Sequence, residues 1–298
     1  MNNKQIQNLA VIGDPISHSL SPIIHNTAIQ HLNLPYYYSA LHVKKEELGN
    51  LCRSLFNSNY KGINVTVPHK VEIIKYIDEL DSFAETVGAV NTILVQENGK
   101  LKGFNTDGDG FLNSIEYYFN EKATNKNIVF LGAGGAVRGV VHRTVLEKPT
   151  KIFIANRNLE KAEIICDEVR ENGFKSIESC AINNKDLQEH CCNADWIING
   201  TSLGLKENDS EVIPEDYFSA KHRVIDMIYN PPETPFLLSA KNRGAKTLNG
   251  LGMLVFQAAK AFKIWTSHQM PTEEVMKALS EKVRKLKRLP FLPSPFYQ

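Results

Sequence analysis

The chain carries almost no net charge: 34 Lys and Arg against 33 Asp and Glu leave +1 over 298 residues. That balance argues against a basic nucleic-acid surface and against an acidic partner. Cysteine is scarce. The five residues are odd in number, Cys191 and Cys192 are adjacent, and no CxxC pair occurs. This excludes a disulfide framework and points to a reducing compartment. Nine histidines show neither HExxH nor paired Cys/His spacing, so no metal site is expected. A G-x-S-x-G elbow is missing, which leaves a serine hydrolase unsupported. No stretch is long and apolar enough to cross a bilayer, and MNNKQIQN lacks a signal peptide's apolar core. The expectation is a soluble cytoplasmic protein without membrane or nucleic-acid partners.

What remains is globular. Hydrophobic residues make up 42% and charged residues 22%, with length for two domains. LAVIGDP reads as a strand, followed by a helix over SPIIHNTAIQHL with Ser21 as N-cap and Pro22 at its first position. YYYSALHV is a strand, KKEELGNLCRSLF a helix, GINVTV a strand, and HKVEIIKYIDEL a helix entered through Pro68. AVNTILV and KLKGF read as strands paired across ENGK. This alternation predicts an α/β fold with a mainly parallel sheet. A second α/β unit opens at NIVFLGAGGA, with strands at 151–156, 196–200 and 222–229, and the last clear helix spans 250–265. The boundary falls near FNTDGDG (104–110). Lys282, Arg284, Lys285, Lys287 and Arg288 read as a solvated helix face running into a proline-rich, disordered end.

Gly132, Gly134, Gly135 and Gly139 mark a strand-to-helix turn of the kind that cradles a pyrophosphate, although Val137 stands where the G-x-G-x-x-G spacing wants a small residue. At the end of the next strand an acid would select NAD. Asn156, Arg157 and Asn158 stand there instead, with Lys161 beyond, and a guanidinium without a competing carboxylate favours NADP. Small polar groups gather where strands of the first unit end: Ser17, His18, Ser19 and Ser21, then Thr66 and Lys70, Asn91 and Thr92, Asn105 and Asp107. They suit a hydroxylated, anionic ligand.

Together, GDPISHSLSP, GINVTVPHK, GAVNTI, FNTDGDG, GAGGAVRG, NRN, INGTSLG, DMIYNPPETPFL and NGLGMLVFQAA resemble the shikimate dehydrogenase family, in order, over residues 8–280 or so. The resemblance implies NADP-dependent, reversible reduction of 3-dehydroshikimate to shikimate in aromatic amino-acid biosynthesis. It implies a substrate domain over 1–106 and 251–298 and a Rossmann-type doubly wound NADP domain over 107–250. By position, Ser19 and Ser21 would hold the substrate carboxylate with Tyr229, and Thr66, Asn91, Asp107 and Gln257 the ring hydroxyls. Lys70 and Asp107 would form the catalytic pair. Gly132, Ala133, Gly134, Gly135 and Ala136 would take the pyrophosphate. Asn156, Arg157 and Lys161 would meet the adenosine phosphate, and Met227 and Gly250 would flank the nicotinamide. The chain departs from the family at His69, where an aromatic is frequent and which could tune the lysine's surroundings, and at Asn158 and Val137. Alternatives are a quinate/shikimate dehydrogenase using NAD and a non-catalytic NADP-sensing protein on the same scaffold. Assembly as monomer or homodimer is left open.

Overall fold

The computed structural model describes residues 5–287 apart from residue 207, with side chains described through residue 281. The chain separates into two compact units. Among the described residues, one comprises those through Gly110 and from Val255 to residue 287; the other comprises Phe111–Leu254.

The first unit is built on β1 (Gln7–Gly13), β2 (Tyr36–His42), β3 (Tyr60–Val65), β4 (Glu79–Leu80), β5 (Thr92–Val95) and β6 (Leu101–Phe104). They form one sheet in the order β2-β1-β3-β5-β6-β4. β1 runs parallel to β2 and β3, and β5 antiparallel to β3 and β6. Helices α1 (Ser21–His31), α2 (Leu48–Ser54) and α3 (Ser82–Val87) complete this part. Leu9–Ile12 are buried at consecutive positions, as expected of a strand covered on both faces. Ala10 and Ile12 share one core with Leu48, Leu55, Ile63, Val65 and Ile93.

Two segments differ from their sequence reading. The helix expected after Pro68 is only a 3₁₀ stretch, Glu72–Tyr76, leading into β4. Sheet pairing captures the chain there: Asp78 N–H donates to the Leu101 carbonyl, and the Asp78 carboxylate accepts from Leu101 N–H. Similarly, KKEELGNLCRSLF begins as a 3₁₀ turn over Lys45–Glu47 before α2.

α4 (Asp107–Phe119) leads into the second unit. There follow β7 (Asn127–Leu131), α5 (Gly135–Val145), β8 (Lys151–Asn156), α6 (Leu159–Glu171), β9 (Ile177–Ala181), α7 (Leu187–Asn193), β10 (Trp196–Asn199), β11 (Arg223–Asp226), α8 (Pro235–Asn242) and β12 (Lys246–Leu248). All strand pairs are parallel, in the order β12-β11-β10-β7-β8-β9. This is the doubly wound order, with its switch point between β7 and β10. Alternation along β7 feeds two cores, Ile128 and Phe130 packing into one, Val129 and Leu131 into the other.

The chain then enters α9 (Leu251–Thr266) and α10 (Thr272–Lys287). α10 extends the helical structure beyond the last helix read from the sequence and buries Val275 and Leu279. Lys282, Arg284, Lys285 and Lys287 fall within α10, but their side chains, like Arg288 and the proline-rich end, lie outside the described residues. In α9, Trp265 fastens the C-terminal segment to the first sheet. Its indole N–H donates to the Ile93 carbonyl at 2.9 Å, and any Cβ at Gly62 would collide with the ring.

Candidate active site

In the first unit, β1, β3 and β6 end at one edge of the sheet. β5, being antiparallel, begins there, so Asn91 and Thr92 reach that edge by opening a strand rather than ending one. Lys70 lies in a loop fixed at several points. Thr66 N–H donates to the Ile12 carbonyl, Asp14 N–H to the Val67 carbonyl, and Val90 N–H to the Lys70 carbonyl. His69 is buried with Nε2 2.7 Å from the Val43 carbonyl oxygen, and this contact anchors the loop.

The Lys70 ammonium lies 2.6 Å from Asp107 Oδ2, and the carboxylate is 8% exposed, well away from bulk solvent screening. Its other oxygen, Oδ1, accepts from Asn91 Nδ2 at 2.7 Å. Asp107 opens α4, where the helix's positive end favours an anion. Asn105 holds that start: its Oδ1 accepts from Asp107 N–H, and its Nδ2 donates to the Ala89 carbonyl. The result is a desolvated carboxylate with both oxygens engaged and one ammonium held against it, an arrangement suited to positioning a proton donor.

Ser21 is not the N-cap of α1. Leu20 takes that place without a side-chain bond, and Ser21 is the first helical residue. The capping hydroxyl comes from Ser19, whose Oγ accepts from Ser21 N–H at 3.3 Å. Ser21 is buried and Ser19 half-buried. Thr66 lies against Gly13, where a Cβ would meet its methyl group. Gln257, on α9, is buried in the segment that belongs to this unit.

In the second unit the glycine turn has the form a dinucleotide needs. Gly132 has φ +107°, a conformation glycine alone adopts freely. Gly134 caps α5 without a side-chain bond, and a Cβ at Gly134 or Gly135 would meet nothing within 4 Å. Gly134, Gly135 and Ala136 are exposed and Ala133 half-buried, so the first N–H groups of α5 face open space. Val137 is fully buried and packs inward, close to where a side chain at Gly200 would stand, so its bulk is kept out of the cradle. At the end of β8, Asn156 Nδ2 donates to the Asn158 carbonyl, and Asn158 caps α6 by accepting from Lys161 N–H. Arg157 and Lys161 are exposed beside this cap. These residues fit a phosphorylated dinucleotide. Met227 and Gly250 are neighbours: Gly250 N–H donates to the Ile228 carbonyl, and a Cβ at Gly250 would strike the Met227 carbonyl. Tyr229 is half-buried, and burial raises its phenol above the ordinary value.

Comparison with known proteins agrees with this organisation. The shikimate dehydrogenase substrate binding domain family matches residues 11–93, the shikimate/quinate 5-dehydrogenase family residues 116–211, and the shikimate 5'-dehydrogenase C-terminal domain family residues 250–279. The shikimate dehydrogenase (NADP(+)) of Methanococcus maripaludis is 43% identical over 93% of this chain and 97% of its own length. The chain belongs to the shikimate dehydrogenase family. A crystal structure of a shikimate dehydrogenase in complex with NADP+ superposes with a TM-score of 0.87 at 39% identity, covering 95% of this chain and 97% of that one. The shikimate 5-dehydrogenase of Thermus thermophilus, in complex with NADP(H) and shikimate, gives 0.78 at 30% identity, covering 92% and 98%.

Two further polar residues that no sequence motif marks, Tyr38 and Asn64, join the cluster around Asn91. Each is buried and polar in a strand, and each is hydrogen-bonded at the same edge as Asn91. Asn64 left a signal: a lone amide inside the β-branched run GINVTV costs free energy unless it is bonded. Thr106 also joins the cluster, its N–H donating to Asn91 Oδ1 at 2.9 Å.

Proposed function

We propose that this chain catalyses the reversible, NADPH-dependent reduction of 3-dehydroshikimate to shikimate, a step toward chorismate and the aromatic amino acids, with Lys70 and Asp107 as its acid–base pair. The observation that carries the reading is the 2.6 Å contact between a partly buried ammonium and a buried carboxylate at the polar edge of the first sheet. NADPH, when bound, supplies the hydride. As the ketone carbon is reduced, negative charge develops on its oxygen, and Lys70 donates a proton there; in the reverse direction Lys70 accepts it. Asp107 holds the ammonium in place and accepts from a substrate hydroxyl. Asn91, Thr66 and Gln257 orient the ring, while Ser19, Ser21 and Tyr229 receive the carboxylate. Gly132, Ala133, Gly134, Gly135 and Ala136 hold the pyrophosphate, Asn156, Arg157 and Lys161 the adenosine phosphate, and Met227 with Gly250 the nicotinamide. The same reading has residues 1–106 and 251–298 as the substrate domain and 107–250 as the NADP domain. It also has the enzyme in the cytoplasm, as monomer or homodimer.

The test is NADPH formation followed spectrophotometrically with shikimate or quinate, each with NADP or NAD. Turnover fastest with shikimate and NADP is expected; no turnover with any pair would end the proposal. Within this frame, Ser19→Ala should raise KM for shikimate about tenfold, the scale of one lost charge-assisted hydrogen bond. An effect confined to KM for NADP would contradict the assignment. Arg157→Ala should raise KM for NADP by a similar factor, about tenfold, and leave KM for NAD unchanged. Equal losses for both coenzymes would place the guanidinium away from the 2′-phosphate.

A further inference from the structure

The hydrogen bonds of Asn91 continue inward, away from Asp107, and those of its amide and of Asn64 have a fixed direction, with the Thr106 hydroxyl 3.0 Å from Asn91 Nδ2 as a side contact. Thr106 N–H can only donate, so the Asn91 atom 2.9 Å from it is Oδ1, and Nδ2 must face Asp107. The Thr92 hydroxyl lies 3.0 Å from the same Oδ1. Asn64 Nδ2 donates to the Asn91 backbone carbonyl at 3.1 Å, a group that can only accept, which fixes the Asn64 amide as well. The same Nδ2 donates to Thr92 Oγ1 at 3.0 Å, and the Thr92 hydroxyl donates onward to Asn91 Oδ1, nearer to it than Thr106 Oγ1 at 3.4 Å. Asn64 Oδ1 then accepts from the Tyr38 hydroxyl at 2.6 Å. Tyr38 and Thr92 are fully buried and Asn64 nearly so. Burial keeps the Tyr38 phenol well above its ordinary value, an effect the Ser21 side chain opposes, so the hydroxyl stays a donor.

From Tyr38 to Asp107 every donor points the same way, and the chain ends on a carboxylate. Directed chains of this kind polarise one another, and a buried link left unsatisfied is costly. We infer that Thr92 and Tyr38, acting through Asn64, are positioning residues that hold the Asn91 amide against Asp107 and so fix the Lys70–Asp107 pair for proton transfer. Neither touches the reacting atoms in the reading given above, on which this inference rests for its kinetic consequence.

Thr92→Val keeps the shape of the side chain and removes its hydroxyl, and Tyr38→Phe does the same for the phenol. Thr92→Val should lower kcat about tenfold, the scale of a small misplacement of the catalytic pair, with KM for shikimate and NADP changed less than about twofold. Thr92→Ser, which restores the hydroxyl, should return kcat to within about twofold of the parent. Tyr38→Phe should lower kcat by about threefold, as the more remote link, and stands as the test should Thr92→Val fail to fold. An activity-independent readout is hydrogen exchange of the two Asn91 side-chain amide protons, followed by NMR without ligands. Exchange should speed about tenfold in Thr92→Val and Tyr38→Phe and recover in Thr92→Ser. Unchanged exchange would overturn the inference whatever the turnover. So would a lowered Tm with kcat unchanged, or a Thr92→Ser enzyme as slow as Thr92→Val. A parent protein without shikimate turnover would refute the proposed function instead, and exchange alone would still decide this network.

Discussion

Replacing Lys70 with alanine is expected to lower kcat by about two to four orders of magnitude, the contribution typical of a positioned general acid. KM for shikimate should stay within a few-fold, because the carboxylate and ring hydroxyls are assigned to other side chains. The geometry supports a selective effect. The Lys70 loop is held by the backbone bonds of Thr66, Asp14 and Val90 and by the His69–Val43 contact, none of which involves the ammonium. Asp107 would retain Asn91 and the start of α4. A Lys70→Ala enzyme that keeps most of its turnover, with the parent active, would remove Lys70 from the mechanism.

The second large effect concerns acid stability and centres on His25. This ring is fully buried on α1, stacked on Tyr38 at 4.1 Å between centroids and close to Phe262 and Trp265, and neither ring nitrogen has a hydrogen-bond partner among the described residues. Burial lowers its pKa to about 3, an opposing influence from the Asn64 side chain being weaker. An unfolded chain would protonate the same residue near its ordinary value of 6.5. Between those values the unfolded state binds more protons, so stability falls as pH drops from about 6.5 toward 3, by about 1.4 kcal/mol per pH unit. Asp226, in the second unit, works in the opposite direction. Burial raises it to about 6, so below that value the folded state binds more protons and gains stability down to the ordinary carboxylate range. The informative quantity is therefore a difference between variants. In His25→Phe the loss of stability between pH 7 and pH 4.5 should be about 2–3 kcal/mol smaller than in the parent. Urea unfolding can be read by Trp265 fluorescence in a Trp196→Phe background, since these two are the chain's tryptophans and one lies in each unit. Identical pH dependence with and without His25 would show that the ring is not a source of acid sensitivity.

What could be read from the sequence was whatever local chemistry writes locally. Buried parallel strands such as Leu9–Ile12 and Ile128–Leu131 appear as unbroken apolar runs. The glycine turn carries its own signature, and the Lys70 and Asp107 segments stand out as polar groups beside strands. Long-range competition was harder to read. Residues 71–80 have helical composition, yet the bonds between Asp78 and Leu101 draw them into the sheet. Ser21 looked like a cap because serine usually is one, whereas Ser19 supplies that bond. Tyr38 was opaque for a related reason: in YYYSALH nothing distinguishes three consecutive tyrosines until the fold buries one of them against Asn64.

Trp265 ties its segment to Ile93, 172 residues earlier in the chain, and to Gly62, earlier still. During synthesis the second unit, one unbroken stretch, emerges in full while the first still waits for its closing helices. The usual N-terminal-first order is therefore expected to be reversed in this chain. Released chains truncated after residue 254 would hold a complete second unit and a first unit whose sheet has no tryptophan to seal it.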